Sequence, residues 1–92
     1  VRVKHTRQFK RELRVIYKHI YLSSPQNARN ITKEIELKTK KIATSPFIGR
    51  PAHYDKNIRE LIYKGYCIPY AIKGEIITVL GIYGANLWSE KS

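Results

Sequence analysis

Few side chains in this sequence can react. His5, His19 and His53 are scattered, without HxxxH or HxH spacing and without a cluster of carboxylates beside them. Zinc sites draw three or four convergent ligands from such spacings, so no metal is expected. Cys67 is the only cysteine; it has no CxxC partner and no disulfide mate, and it reads as a small buried hydrophobe rather than a paired nucleophile. Neither a glycine-rich phosphate loop nor a GxSxG elbow occurs, which leaves nucleophilic hydrolysis without support and implies no cofactor. The chemistry that remains is cationic and aromatic. Arg50 follows Gly49, where a missing side chain lets backbone approach a phosphate closely; the alternative is a contact that pins the loop. Of seven tyrosines, Tyr17, Tyr66 and Tyr70 fall at core positions, while Tyr21, Tyr54, Tyr63 and Tyr83 are uncommitted.

Ninety-two residues suffice for one domain, residues 1–92, whose core hides about two thirds of the surface of the unfolded chain. The apolar runs are short, the longest being Ile76 to Ile82 with threonine and glycine inside it, which predicts neither a membrane span nor a signal peptide. A single cysteine fits a reducing compartment. The expected location is the cytoplasm. Eighteen Lys and Arg against seven Asp and Glu leave a net charge of +11, a field that attracts polyanions: nucleic acid or the ribosome, an acidic protein, or less readily an anionic membrane. Residues 1–45 hold twelve of the cations against three acids, a net of +9, and residues 46–92 hold six against four, a net of +2.

The elements that must position these residues follow from periodicity. Val1 to Lys4 alternates apolar and basic residues and predicts a short strand, with Thr6 as a helix cap behind it. Phe9, Leu13, Ile16, Tyr17 and Ile20 form one helical stripe, leaving Arg7, Lys10, Arg11, Arg14 and Lys18 on the other faces. Ser24-Pro25 closes this helix and opens a second, to about Ala43, roughly 28 Å long, with Ala28, Ile31, Ile35 and Ile42 on its core face. Residues Pro46 to Asn57 read as a loop. Three strands follow, Ile58 to Tyr63, Tyr66 to Ile72 and Glu75 to Tyr83, separated by Lys64-Gly65 and Lys73-Gly74. Pro69 conflicts with a central strand and demands an outward edge or a bulge. Gly84 to Ser92 can add a turn of helix with Trp88 folded back. The predicted class is α+β, ordered β-α-α-β-β-β, an N-terminal helical hairpin packed on a small, twisted, mainly antiparallel four-stranded sheet.

The series Pro46-x-x-Gly49-Arg50-Pro51, Ile58-Arg59-Glu60-Leu61 and Gly65-Tyr66-x-Ile68-x-Tyr70-x-Ile72, followed by a β-rich run ending near Trp88, resembles the RelE/ParE toxin superfamily over nearly the whole chain. That resemblance implies the toxin of a type II toxin-antitoxin pair, tied to plasmid stabilisation and growth inhibition and neutralised by an acidic or amphipathic antitoxin protein. One branch of the superfamily cuts messenger RNA on the ribosome; another poisons DNA gyrase. The cutting branch resembles a Gly-Tyr-Arg at the start of the penultimate strand, a second Arg after the last strand and a Tyr near the C-terminus. Here Cys67, Ala85 and Trp88 stand at those positions. The indole of Trp88 stacks on a base but donates only an N–H and cannot exchange protons as a phenol does.

Without those groups the usual RNA chemistry lacks its phosphorane cation and its proton donor. The residues expected to contact a target or nucleic acid are Arg50, Arg59, Lys64, Tyr83 and Trp88; for Arg59 the competing expectation is an ion pair with Glu60 or another strand's acid. Three functions compete: a non-nucleolytic gyrase poison, a ribosome-dependent endoribonuclease whose site is rearranged among Arg59, Lys64, His53, Tyr54 and Tyr83, and a degenerate toxin that keeps only antitoxin binding.

Overall fold

The computed structural model describes residues 1–84. Strand β1 (Arg2–His5) leads into helix α1 (Arg7–Ser23), which packs against α2 (Pro25–Lys41). One residue makes the hairpin. Ser24 donates its backbone N–H to the Ile20 carbonyl at 2.8 Å, ending α1, while its hydroxyl accepts from Asn27 N–H at 3.2 Å, starting α2. Pro25 occupies the first turn of α2, where its missing donor costs nothing. Lys38, Lys40 and Lys41 sit in the last turn and complement the helix dipole. The helix stops at Lys41, two residues before the expected end, and is about 25 Å long.

The sheet consists of β2 (Arg50–Pro51), β3 (Ile58–Tyr63), β4 (Tyr66–Lys73), β5 (Ile76–Val79), β6 (Tyr83–Gly84) and β1, in the order β1-β5-β4-β3-β2, with β6 also paired to β4. The sheet has six strands, not four. The four expected ones are present; a two-residue piece of the predicted loop pairs with β3, and the long last strand is broken into β5 and β6. Every pairing is antiparallel except β1 with β5. Lys64 and Gly65 both take positive φ between β3 and β4, the pattern of a type I′ hairpin. At the next turn Lys73 stays in the strand, and Gly74 (φ 62°) and Glu75 make the loop.

Pro69 explains the break in the last strand. From Tyr70 to Cys67 β4 takes three steps, while the chain opposite takes four, from Val79 to Tyr83. One extra residue makes a β-bulge beside the proline. Leu80 N–H still donates to the Pro69 carbonyl at 2.9 Å, but Pro69 has no N–H to return. The Thr6 hydroxyl supplies the missing donor, reaching the Leu80 carbonyl at 2.8 Å while accepting from Phe9 N–H at 3.0 Å to cap α1. Sequence reasoning placed the distortion in the middle strand; it lies in the partner, where glycine is available. Glu12 Oε1 accepts from Ile82 N–H at 2.9 Å, and a side chain on Gly81 would meet that oxygen at 2.6 Å.

Alternation along the strands sends Leu61, Tyr63, Ile68, Tyr70, Ile77 and Val79 toward the hairpin, where they bury with Phe9, Ile35 and Ile42. Tyr70 is fully buried and Tyr66 is partly buried against the same core, matching their expected positions, whereas Tyr17 is half-buried and lines a depression at the hairpin tip. Tyr63, uncommitted in the sequence, joins this core. The opposite face carries Glu60, Ile62 and Cys67.

Candidate functional site

The open face of the sheet gathers the polar groups. The register sets Glu60 beside Arg50 on β2, and Cys67 between Ile62 on β3 and Tyr83 on β6. Arg50 Nε donates to Glu60 Oε1 at 3.2 Å, and the Tyr83 hydroxyl donates to Glu60 Oε2 at 3.5 Å. Glu60 is buried and Arg50 largely exposed, so the guanidinium neutralises a carboxylate held out of water. Cys67 is buried. Burial pushes its thiol above the ordinary value, and Glu60 adds to the shift against the opposing hydrogen bond from Tyr83 and the Arg50 charge. The Tyr83 phenol is pushed far up, first by its hydrogen bond with Cys67, then by burial and by Glu60. Tyr54 rises for lack of solvation and because Glu60 is near. At neutral pH the thiol and both phenols therefore keep their protons. None of them acts as a base there.

Arg59 points the other way. Its Nε donates to the Gly49 carbonyl at 2.7 Å and its guanidinium lies 5.2 Å from the Phe47 ring centre. Among the described residues it pairs with neither Glu60 nor any other acid, correcting that sequence expectation: one step of the strand puts Arg59 and Glu60 on opposite faces. The Tyr70 hydroxyl completes a latch on the same loop, donating to the Pro46 carbonyl at 2.7 Å and accepting from Gly49 N–H at 2.9 Å. A side chain at Gly49 would lie 2.8 Å from the Glu60 carbonyl. Lys64 sits at the β3–β4 turn, its ammonium 5.6 Å from the Tyr63 ring centre. Of the expected contact residues, then, Arg50 and Tyr83 converge on Glu60, Arg59 and Lys64 lie elsewhere, and Trp88 falls outside the described residues, as does Ala85, where the cutting branch has its second arginine. Glu60, the node of the cluster, was missed as a site residue; the signal was an acid between Ile58 and Ile62 on one face of the strand.

Beside this face runs a groove of about 460 Å³ between α1 and β6, lined by Arg11, Val15, Ile16, His19, Tyr66 and Ile82, with Tyr83 at its edge. It is chiefly apolar, and Val15 is well exposed in it. Among the described residues β6 pairs only with β4, so its other edge is free. A second apolar depression at the hairpin tip is bounded by Tyr17, Tyr21 and the exposed Leu22. Among the described residues no helix is long and apolar enough to cross a membrane, and no three His, Cys, Asp or Glu converge as metal ligands.

The family model of the ParE toxin of type II toxin-antitoxin systems, parDE, matches residues 3–85. The chain belongs to the ParE toxin family. A solved structure described as the chromosomal ParDE TA system from P. aeruginosa is similar to it, with a TM-score of 0.76 at 26% identity over 89% of this chain and 92% of that one. Among curated proteins no sequence matches. The RelE/ParE resemblance read from the motifs holds, and with it the α+β fold. In this ParE-family toxin the Pro46-to-Pro51 motif is a latched loop, and the residue that follows Gly65-Tyr66 is a buried, protonated thiol.

Proposed function

We propose that this toxin arrests growth by binding DNA gyrase, without cutting RNA, and that an acidic antitoxin silences it. The reading rests on one observation: the position where RNA cleavage wants an arginine holds Cys67, buried, protonated and next to a carboxylate that Arg50 already neutralises. Among the described residues, the cation nearest a phosphorane forming there is Arg50, already paired with Glu60. Loss of such a group costs about 100-fold to 1000-fold in rate. The apolar groove beside α1, open at the β6 edge, supports docking of an amphipathic antitoxin segment.

Induction without the antitoxin tests this. Growth should stop with DNA breaks accumulating and messages intact; codon-phased 5′ ends on translating ribosomes, reproduced with purified components, would favour the ribonuclease. Harmless accumulation of folded protein would leave only antitoxin binding.

A further inference from the structure

The helical hairpin carries three acids, of which Glu34 and Glu36 are exposed, against a larger number of exposed cations. Glu12 accepts from Ile82 N–H, Glu34 accepts from the Tyr63 hydroxyl at 3.0 Å, and Glu36 lines a small cavity with His5, Lys10 and Lys40. Among the described residues the one ion pair is Arg50 with Glu60. Arg7, Arg11, Arg14 and Lys18 of α1 therefore have no acidic partner, and all four are exposed. They recur at steps of four, three and four. At 3.6 residues per turn their directions fall within an arc of about 60°, along a ridge of about 16 Å. Like charges at such spacings repel and weaken a helix, so the ridge is costly to the fold unless an anion meets it.

We propose that this ridge is a phosphate-binding surface for duplex DNA. An α-helix with its side chains is about 10–12 Å across, close to the width of the major groove at about 12 Å. The ridge is convex, whereas a peptide that must be wrapped needs a cleft; the nearby groove is apolar and shares only Arg11 with the ridge. Single strands are held by aromatic rings interleaved with cations. Here Tyr17 and Tyr21, with ring centres 5.7 Å apart, gather beside Lys18 at one end, and no exposed ring stands among Arg7, Arg11 and Arg14. Gln8, a neighbour suited to reading a base edge, is bonded to Glu12 at 3.4 Å. The grip is thus on the backbone and independent of sequence. It does not depend on which enzyme the toxin stops, and it would keep a free toxin close to the chromosome.

The test is fluorescence anisotropy of the full chain with a labelled mixed-sequence duplex of about 20 base pairs. Four phosphate contacts predict that log affinity falls against log salt with a slope of about −3.6, a loss of roughly 100-fold between about 50 and 200 mM. Arg7→Gln with Arg11→Gln, Arg14→Gln and Lys18→Gln should abolish most of that slope, and Arg7→Gln or Arg14→Gln alone should each reduce it by about one. A control removing four other exposed cations, Lys4→Gln, Lys41→Gln, Lys56→Gln and Lys73→Gln, should keep it. Three results overturn the proposal: equal weakening in ridge and control variants, which makes net charge the whole effect; tighter binding of a single strand of the same length, which makes the ligand single-stranded; or displacement of the duplex by polyglutamate charge for charge, which makes the surface one for acidic protein.

Discussion

Cys67 and Tyr83 hold protons more tightly when the chain is folded. The thiol lies above its ordinary value of 9.0 because burial opposes the thiolate, and Tyr83 lies above 10.0 because it shares a hydrogen bond with Cys67 and is partly desolvated. For a group whose folded value is raised, the stabilisation is complete below the unfolded value and is lost as pH climbs toward the folded one. The chemical denaturation midpoint should thus change little through these groups up to about pH 9 and fall above it. Cys67→Ala should flatten that alkaline limb, and adding Tyr83→Phe should flatten it further; an alkaline limb unchanged in the double variant would contradict the cluster. Cys67 could be read from the sequence as a small buried hydrophobe, and it is one. Its neighbours could not, because the Arg50 to Glu60 pair depends on the register of a two-residue strand that the loop composition conceals.

Thr6 links two elements through one oxygen: it caps α1 and satisfies the carbonyl that Pro69 cannot. Losing a cap costs about 1 kcal/mol, and an orphaned buried carbonyl about 1–3 kcal/mol. Thr6→Ala should therefore destabilise by about 2–4 kcal/mol. Pro69→Ala restores a backbone N–H toward Leu80, so the same Thr6→Ala change should cost about 1 kcal/mol less in that background. A double-mutant cycle by urea unfolding measures this, and strict additivity would mean the two sites are independent. Long periodic elements were legible: both helices, and β3 and β4 to within a residue. The bulge was half legible. Pro69 announced a conflict, but the place of its relief depended on Gly81 and on Glu12, some seventy residues away in the chain, and a local pattern carries no such information.

At the scale of the molecule the charge is lopsided, with a net of +9 over residues 1–45 and +2 over the rest. Such a field steers an acidic partner before contact. Raising salt from about 10 to 150 mM shortens the Debye length from about 30 Å to about 8 Å. The association rate of the antitoxin should fall about tenfold over that range by stopped flow, with dissociation changing less. A rate indifferent to salt would leave the apolar groove as the sole basis of recognition.

The parallel pairing of β1 with β5 places Arg2 opposite Ile76 and His5 opposite Val79. An N-terminal strand that waits for a partner 74 residues later stays unpaired until β5 has been made, and the Thr6 hydroxyl reaches the Leu80 carbonyl only then. Pairings so distant in sequence are slow to close. The order of synthesis therefore leaves the first strand unpaired longest: the nascent chain carries most of its charge well before it has its complete sheet.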